Sequence, residues 1–419
     1  MSRSCYVVAF VGGIAGLTWE LLWMHHAALA LGVSAQGAAL TLIAFSAGMA
    51  GGSLLAGRVL ASRGLDALRA WAVLEVVLGL LGQALAPGFA MVASWDAALW
   101  ASAPASAQWI SALGVLGVLA LPAACMGATV PVFAEVARRR DASIGFLYAA
   151  NVGGAALGVV LASFVVIPAA GISATTDLAS CIDIVLGLAL LVMAKRATPS
   201  NVDASASARG EPPSRVALVI ASATGFATFA LEVAWFRSLR AAFQATTESF
   251  ALVLFAVLVS LGVGGAIGTR LQRSQRTSLG TLLAVAAVLV LLGTPLIERA
   301  DLFALALAHQ SYGTIVLGRL ALALLLLAPS MIAIGIALPW CLQQFSDPRS
   351  VARLYAVNTV GAVVGSLLAA WLLLPAIGFA RTSWLAAVAL AGAAVFASPA
   401  HARMKVVGTV AAAMLLAWL

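Results

Sequence analysis

Charged side chains are scarce in this chain: Asp, Glu, Lys and Arg make up 9% of its 419 residues, against 63% hydrophobic, at a mean hydropathy of +1.08. That balance excludes a water-soluble domain, in which roughly a quarter of the residues carry charge. The net charge of +8 would suggest nucleic acid in a soluble protein. Here the charges fall between apolar runs, so no nucleic-acid partner is expected. Cysteine is also scarce. Cys5, Cys125, Cys181 and Cys341 sit in or at the edges of apolar runs, and none belongs to a C-x-x-C or Cys/His pattern. There is no G-x-S-x-G, no H-E-x-x-H and no Walker loop. No enzyme activity, cofactor or metal is therefore expected.

Long apolar runs are present instead. At about 20 residues per bilayer crossing, the sequence predicts spans near 5–31, 36–60, 68–92, 108–136, 142–168 and 174–194, then 215–240, 247–270, 278–297, 311–344, 351–375 and 381–397. The tail from Val406 to Leu419 predicts a thirteenth helix. The chain reads as an all-α protein of the lipid bilayer: an N-terminal half (1–195), a polar linker (196–215), a C-terminal half (216–398) and a last helix (399–419). With the N-terminus in the cytoplasm, Arg237, Arg240, Arg299 and Arg381 fall outside and Arg319 within a span. The other 18 of 23 basic residues lie inside, as the positive-inside rule requires.

Both halves carry the same landmarks. Glu20 to Glu232 and Trp23 to Trp235 are each 212 positions apart, as are Gly52 and Gly264, and Arg58 and Arg270. Tyr148-x-x-Asn151 recurs 207 positions on as Tyr355-x-x-Asn358, and Pro168, Gly171 and Thr175 recur as Pro375, Gly378 and Thr382. Six crossings per repeat is an even number, so the halves enter from the same side. They are parallel repeats about an axis along the membrane normal, the symmetry of major facilitator transporters.

An ionised carboxylate in hydrocarbon is costly, so Glu20 and Glu232 are expected to face a cavity between the halves, in a proton-coupling or cation-binding role. On a helix Gly13, Gly16, Glu20 and Trp23 share a face, as do Gly225, Thr228, Glu232 and Trp235. Trp23 and Trp235 either sit at the outer interface or stack on a cationic substrate. Glu75 has no acidic counterpart in the second half. Arg319 needs an anion, which Glu75, Asp183, Glu232 or a substrate carboxylate would supply. Tyr148, Asn151, Tyr355 and Asn358 either pack helices together or line the cavity. The prolines from Pro122 to Pro131, matched from Ser330 to Pro339, predict kinks.

Taken together, Glu20-Leu-Leu-Trp23, Gly52-x5-Arg58, Met126-Gly-Ala-Thr-Val-Pro131 and Leu147-Tyr-Ala-Ala-Asn-Val-Gly-Gly154, with their copies, resemble the membrane half of the fused major facilitator/spermidine synthase-like proteins of bacteria. The likeness covers about residues 10 to 395. It implies a multi-pass inner-membrane protein with a cytoplasmic N-terminus. It further implies a secondary transporter of a small polar or charged solute, with a polyamine or related amine as the candidate by analogy. The alternative is a non-transporting module serving a cytosolic synthase-like partner. The chain departs from that family in ending within an apolar segment, with no Rossmann-like domain, so aminopropyl transfer is not expected of it. The same resemblance suggests that Arg58 and Arg270 act as gating residues that latch onto acidic helix ends such as Glu135.

Overall fold

The computed structural model describes residues 2–31, 35–63, 65–140, 142–196, 212–244, 246–274, 277–306 and 310–418. All regular structure among these residues is helical. The first half comprises α1 (Ser2–Leu31), α2 (Ala35–Arg63), α3 (Ala67–Gly82), α4 (Leu85–Ser102), α5 (Pro104–Arg140), α6 (Ile144–Leu161) and α7 (Ile167–Arg196). The second comprises α8 (Arg215–Phe243), α9 (Thr247–Ser274), α10 (Leu279–Glu298), α11 (Ala300–Leu305), α12 (Tyr312–Gly335), α13 (Ala337–Leu342), α14 (Pro348–Leu368) and α15 (Leu374–Ala397). The thirteenth helix expected at the C-terminus is α16 (Ala400–Trp418), which lays Val406, Val410 and Ala413 against α10 and α15. Residues 197–211 of the expected linker lie outside the described residues.

Among the described residues ten helical stretches are long and apolar enough to cross a bilayer, and two are far too long for one crossing. Ile144–Arg196 has 53 residues and Pro348–Ala397 has 50. At about 1.5 Å per residue each would reach some 75–80 Å, more than twice the hydrocarbon thickness. Each is broken at a glycine with positive φ: Gly171 (φ 79°) and Gly378 (φ 78°). A side chain at that φ is strained, so glycine is required there. Just before Pro168 and Pro375, which lack an N–H, the helix widens to i→i+5 bonding over Ala162–Val166 and Ala369–Leu373. With α3 and α4 as one span bent by 50°, the result is twelve crossings in two six-helix halves plus α16. This is a multi-pass membrane protein with a major facilitator-like fold.

Two expectations need correction. The stretch 93–107, left between the expected spans 68–92 and 108–136, is helical except at Ala103. Its alanines favour helix, and Ser111 donates a hydrogen bond to Asp96 across the α4–α5 turn. The paired proline kinks also differ. In the second half the helix breaks at Ile336, between α12 and α13, whereas α5 runs on through Pro122 and Pro131.

The repeat extends to atomic contacts. The helices of each half close over glycines whose positions match. A side chain at Gly13 would overlap the carbonyl of Asn151, and one at Gly225 that of Asn358. Gly158 meets Ile14 as Gly365 meets Phe226. Asn151 donates to the Ala9 carbonyl at 3.2 Å, and Asn358 donates to the Ala221 carbonyl at 2.9 Å. Such small-residue seams with polar cross-links are how helices associate without a hydrophobic driving force between them.

Candidate functional site

Between the halves lies a cavity of about 270 Å³. The α1/α6 and α8/α14 seams fix its walls. Gly12, Gly16 and Glu20 line it from α1, Thr228, Phe229 and Glu232 from α8, Tyr148 and Asn151 from α6, and Tyr355 and Asn358 from α14. Trp71 and Glu75 enter from α3, so the first half contributes an extra carboxyl. The wall contains no Lys, Arg or His among the described residues.

Glu20 and Glu232 lie at matching places on α1 and α8, and both line the cavity. Among the described residues neither accepts a hydrogen bond or forms an ion pair. Thr228, on the same wall one turn before Glu232, is otherwise engaged, donating to the Thr224 carbonyl at 2.7 Å. Two half-buried carboxyls thus face the cavity with hydrogen-bonding capacity unspent, as a bound cation or exchangeable proton requires. The two readings of the asparagines turn out to be compatible. Asn151 and Asn358 pin helices together through their amides and also form part of the wall.

Trp23 and Trp235 belong neither to the cavity wall nor to the outer interface. They are 1% and 0% exposed, with Trp23 packed against Phe45 at 5.3 Å between ring centres. Three residues along a helix is about 60° short of a full turn. That rotation carries the indole off the glutamate's face and into the helix–helix interface. Trp95, Trp100 and Trp109 are exposed, as expected at a membrane boundary. The tryptophan that does line the cavity, Trp71, has a signal in its spacing. It stands four residues before Glu75, and its N–H donates to that carboxylate at 2.7 Å.

Arg319 meets none of the carboxylates expected for it. Its guanidinium lies 3.5 Å from the Ser249 hydroxyl and 6.0 Å from the centre of the Phe243 ring. Because α12 begins at Tyr312, Arg319 is only two turns from the helix end, and its long stem lets the charge reach toward the boundary.

The face bearing the linker is closed. Near the end of α2, Gly57 abuts Pro348 and Ala352 at the start of α14, and the Ser53 hydroxyl donates to the Ala352 carbonyl at 3.3 Å. Gly145 of α6 sits against Thr269 of α9 and Gln343, whose amide donates to the Thr269 hydroxyl at 3.3 Å. The expected latch has other partners. Glu135 is 1% exposed and held by Arg138, at 2.6 and 2.8 Å, and by Arg139 of its own helix. Arg58 and Arg270 are exposed and make no ion pair among the described residues. Asp347 caps α14 through the Ser350 N–H at 3.0 Å. Gly57→Leu, with a branched side chain where a Cβ alone would come within 2.9 Å of the Pro348 carbonyl, is expected to wedge this face apart. A cysteine at Tyr148 should then react several-fold faster with a water-soluble maleimide; unchanged labelling would show that the contact does not hold the face shut.

Fold and cavity together define a major facilitator-like membrane protein with an acidic central chamber. Among solved structures it is similar to the E. coli fucose:proton symporter FucP (N162A), at 15% identity over 94% of this chain and 97% of that one, with TM-score 0.54. It is similar also to the proton:xylose symporter XylE bound to 6-bromo-6-deoxy-D-glucose (14% identity, 94% of each chain, TM-score 0.55). A third is the human organic anion transporter MFSD10, or TETRAN (16% identity, 95% of this chain and 99% of that one, TM-score 0.55). At these identities the likeness is one of fold. No family model matches the chain, and no curated protein does.

Proposed function

We propose that this protein is a proton-coupled secondary transporter of a small organic cation, with the amines and polyamines as the substrate class. The observation that carries the reading is the cavity itself. It lies between two pseudo-symmetric halves and presents the carboxyls of Glu20 and Glu232, which among the described residues have neither a partner nor a basic side chain in the wall to balance them. Two carboxyls on opposite halves suit one ammonium or the two ends of a diamine, with Tyr148, Tyr355 and Phe229 offering aromatic surface. A volume of about 270 Å³ suits a small solute. Binding that bridges the halves favours their closure, and a proton on either carboxyl competes with the cation. That competition is exchange coupling.

The fold agrees with this reading, since the proteins it is similar to are two proton symporters and an organic anion transporter. The wall chemistry argues against an anion as cargo here. The linker face, which collects most of the basic residues, is inferred to be the cytoplasmic side of a bacterial inner membrane. A module serving a separate synthase-like protein would need no hollow centre, and transport needs no catalytic group.

Ligand-dependent thermal stability tests the substrate class, because a solute bound only to the folded state at 100 times its Kd adds about 2.7 kcal/mol. Diamines and monoamines are expected to raise the melting temperature of the detergent-purified protein, whereas sugars and organic anions are not. A shift with anions alone would overturn the cation reading.

A further inference from the structure

Behind the cavity wall, where α3 and α7 cross, Glu75 meets Asp183. The helices approach closely because Gly79 faces α7: a Cβ there would lie 2.8 Å from the Ser180 carbonyl oxygen and 3.2 Å from the Asp183 Cβ. Glu75, one helical turn before Gly79 on α3, is thereby brought beside Asp183. Each is held by one indole. Trp71 donates to Glu75 Oε1 at 2.7 Å, and Trp19 donates to Asp183 Oδ2 at 2.7 Å, its ring seated against Gly82. Asp183 is 0% exposed, and its second oxygen, Oδ1, has no donor among the described residues.

Two ionised carboxylates cannot share a dry contact without a cation, because like charges that close raise each other's energy steeply. The titratable groups facing the pair are Cys125 from α5 and, on the same cavity wall, Glu20 from α1. Asp177, further along α7, accepts from Gln83 instead. Among the described residues no Lys, Arg or His forms an ion pair with either carboxyl. What fits between them is one proton.

The second half shows that the fold needs none of this. By the 212- and 207-residue offsets, Trp19, Trp71, Glu75 and Asp183 correspond to Leu231, Leu283, Ala287 and Leu390, all 0% exposed. The same four positions are filled there with hydrocarbon. A buried polar cluster that apolar residues replace in the sister repeat is not there for stability. Its position adds the rest: Glu75 touches the cavity, and Asp183 lies one side chain behind it.

We propose that Glu75 and Asp183 hold a single shared proton, taken from the cavity through Glu75, and so form a proton store separate from Glu20 and Glu232. Loading it breaks one O–H bond in a hydronium ion in the cavity and forms one on the carboxyl pair, which carries a single negative charge while the two groups are in dry contact. Its part in coupling rests on the transport reading above, but the shared proton does not.

Infrared spectroscopy of the purified full-length protein at pH 7 tests it, in a Glu20→Gln/Glu232→Gln background that silences the cavity carboxyls. The expected result is a protonated-carboxyl C=O band, shifted in D₂O and unaffected by sodium, that disappears in Glu75→Gln and equally in Asp183→Asn. The double variant should lose nothing more, because each amide N–H already donates to the carboxylate left behind. No such band in the parent, its loss on adding sodium, or two bands lost one per variant would each overturn the shared proton. The first two outcomes need no variant at the dyad. A protein that keeps the band but moves no solute would refute only the transport reading. In proteoliposomes that do transport, Asp183→Asn is expected to keep solute exchange and lose proton-driven accumulation; unchanged accumulation would remove the pair from coupling.

Discussion

Gly154→Leu is expected to leave almost no folded protein, while Gly392→Leu stays close to the parent. Both glycines are in helices, where exchanging glycine for a better helix former is worth up to about 1 kcal/mol. The surroundings reverse the sign at Gly154. A Cβ there would overlap the backbone carbonyl of Phe10 on α1, whereas one at Gly392 meets nothing within 4 Å. A backbone oxygen cannot turn aside as a side chain can, so α1 and α6 must part. The Gly13–Asn151 and Gly158–Ile14 contacts and the Asn151–Ala9 hydrogen bond lie on the same seam. Overpacking of this kind costs about 3 kcal/mol or more, or roughly 3–4 °C in apparent melting temperature at this size. Size-exclusion yield and melting in detergent measure it. Gly361→Leu, against Ser222, is expected to behave alike. Parent-like melting of both would show that the seams are looser than described.

The second large effect is on coupling. With a one-unit pH gradient, one-for-one proton exchange sustains about a tenfold solute gradient, since each 1.4 kcal/mol is worth a factor of ten. Glu20→Gln/Glu232→Gln is expected to reduce that accumulation to equality across the membrane. Glutamine keeps the shape and the hydrogen-bonding capacity of the side chain but carries neither the exchangeable proton nor the charge. Because neither carboxyl has a partner among the described residues to lose, folding should be unaffected, which melting checks. Retained tenfold accumulation in the double variant would remove both residues from the mechanism.

The architecture was legible in the sequence because repeats leave constant offsets, and the offsets extend to single contacts such as Gly13–Asn151 and Gly225–Asn358. Glu20 and Glu232 were legible because a carboxylate in an apolar run needs a reason. Side-chain direction was not. The constant spacing of Trp23 and Trp235 identifies the repeat but not which way an indole three residues past the glutamate will turn. Arg319 was misjudged because its cost depends on where the helix starts, and α12 begins late enough to bring the charge near the boundary. Glu75 and Asp183 were each visible as acids, but their meeting depends on the rotation of α3 against α7, which no local pattern records.

Proton movement driven by solute is the most direct test of the central claim, that the cavity exchanges an organic cation for protons. An amine gradient imposed across proteoliposomes holding a pH dye inside is expected to change the internal pH with the wild-type protein and leave it unchanged with Glu20→Gln/Glu232→Gln. Amine uptake by the wild type with no accompanying change in internal pH would contradict it.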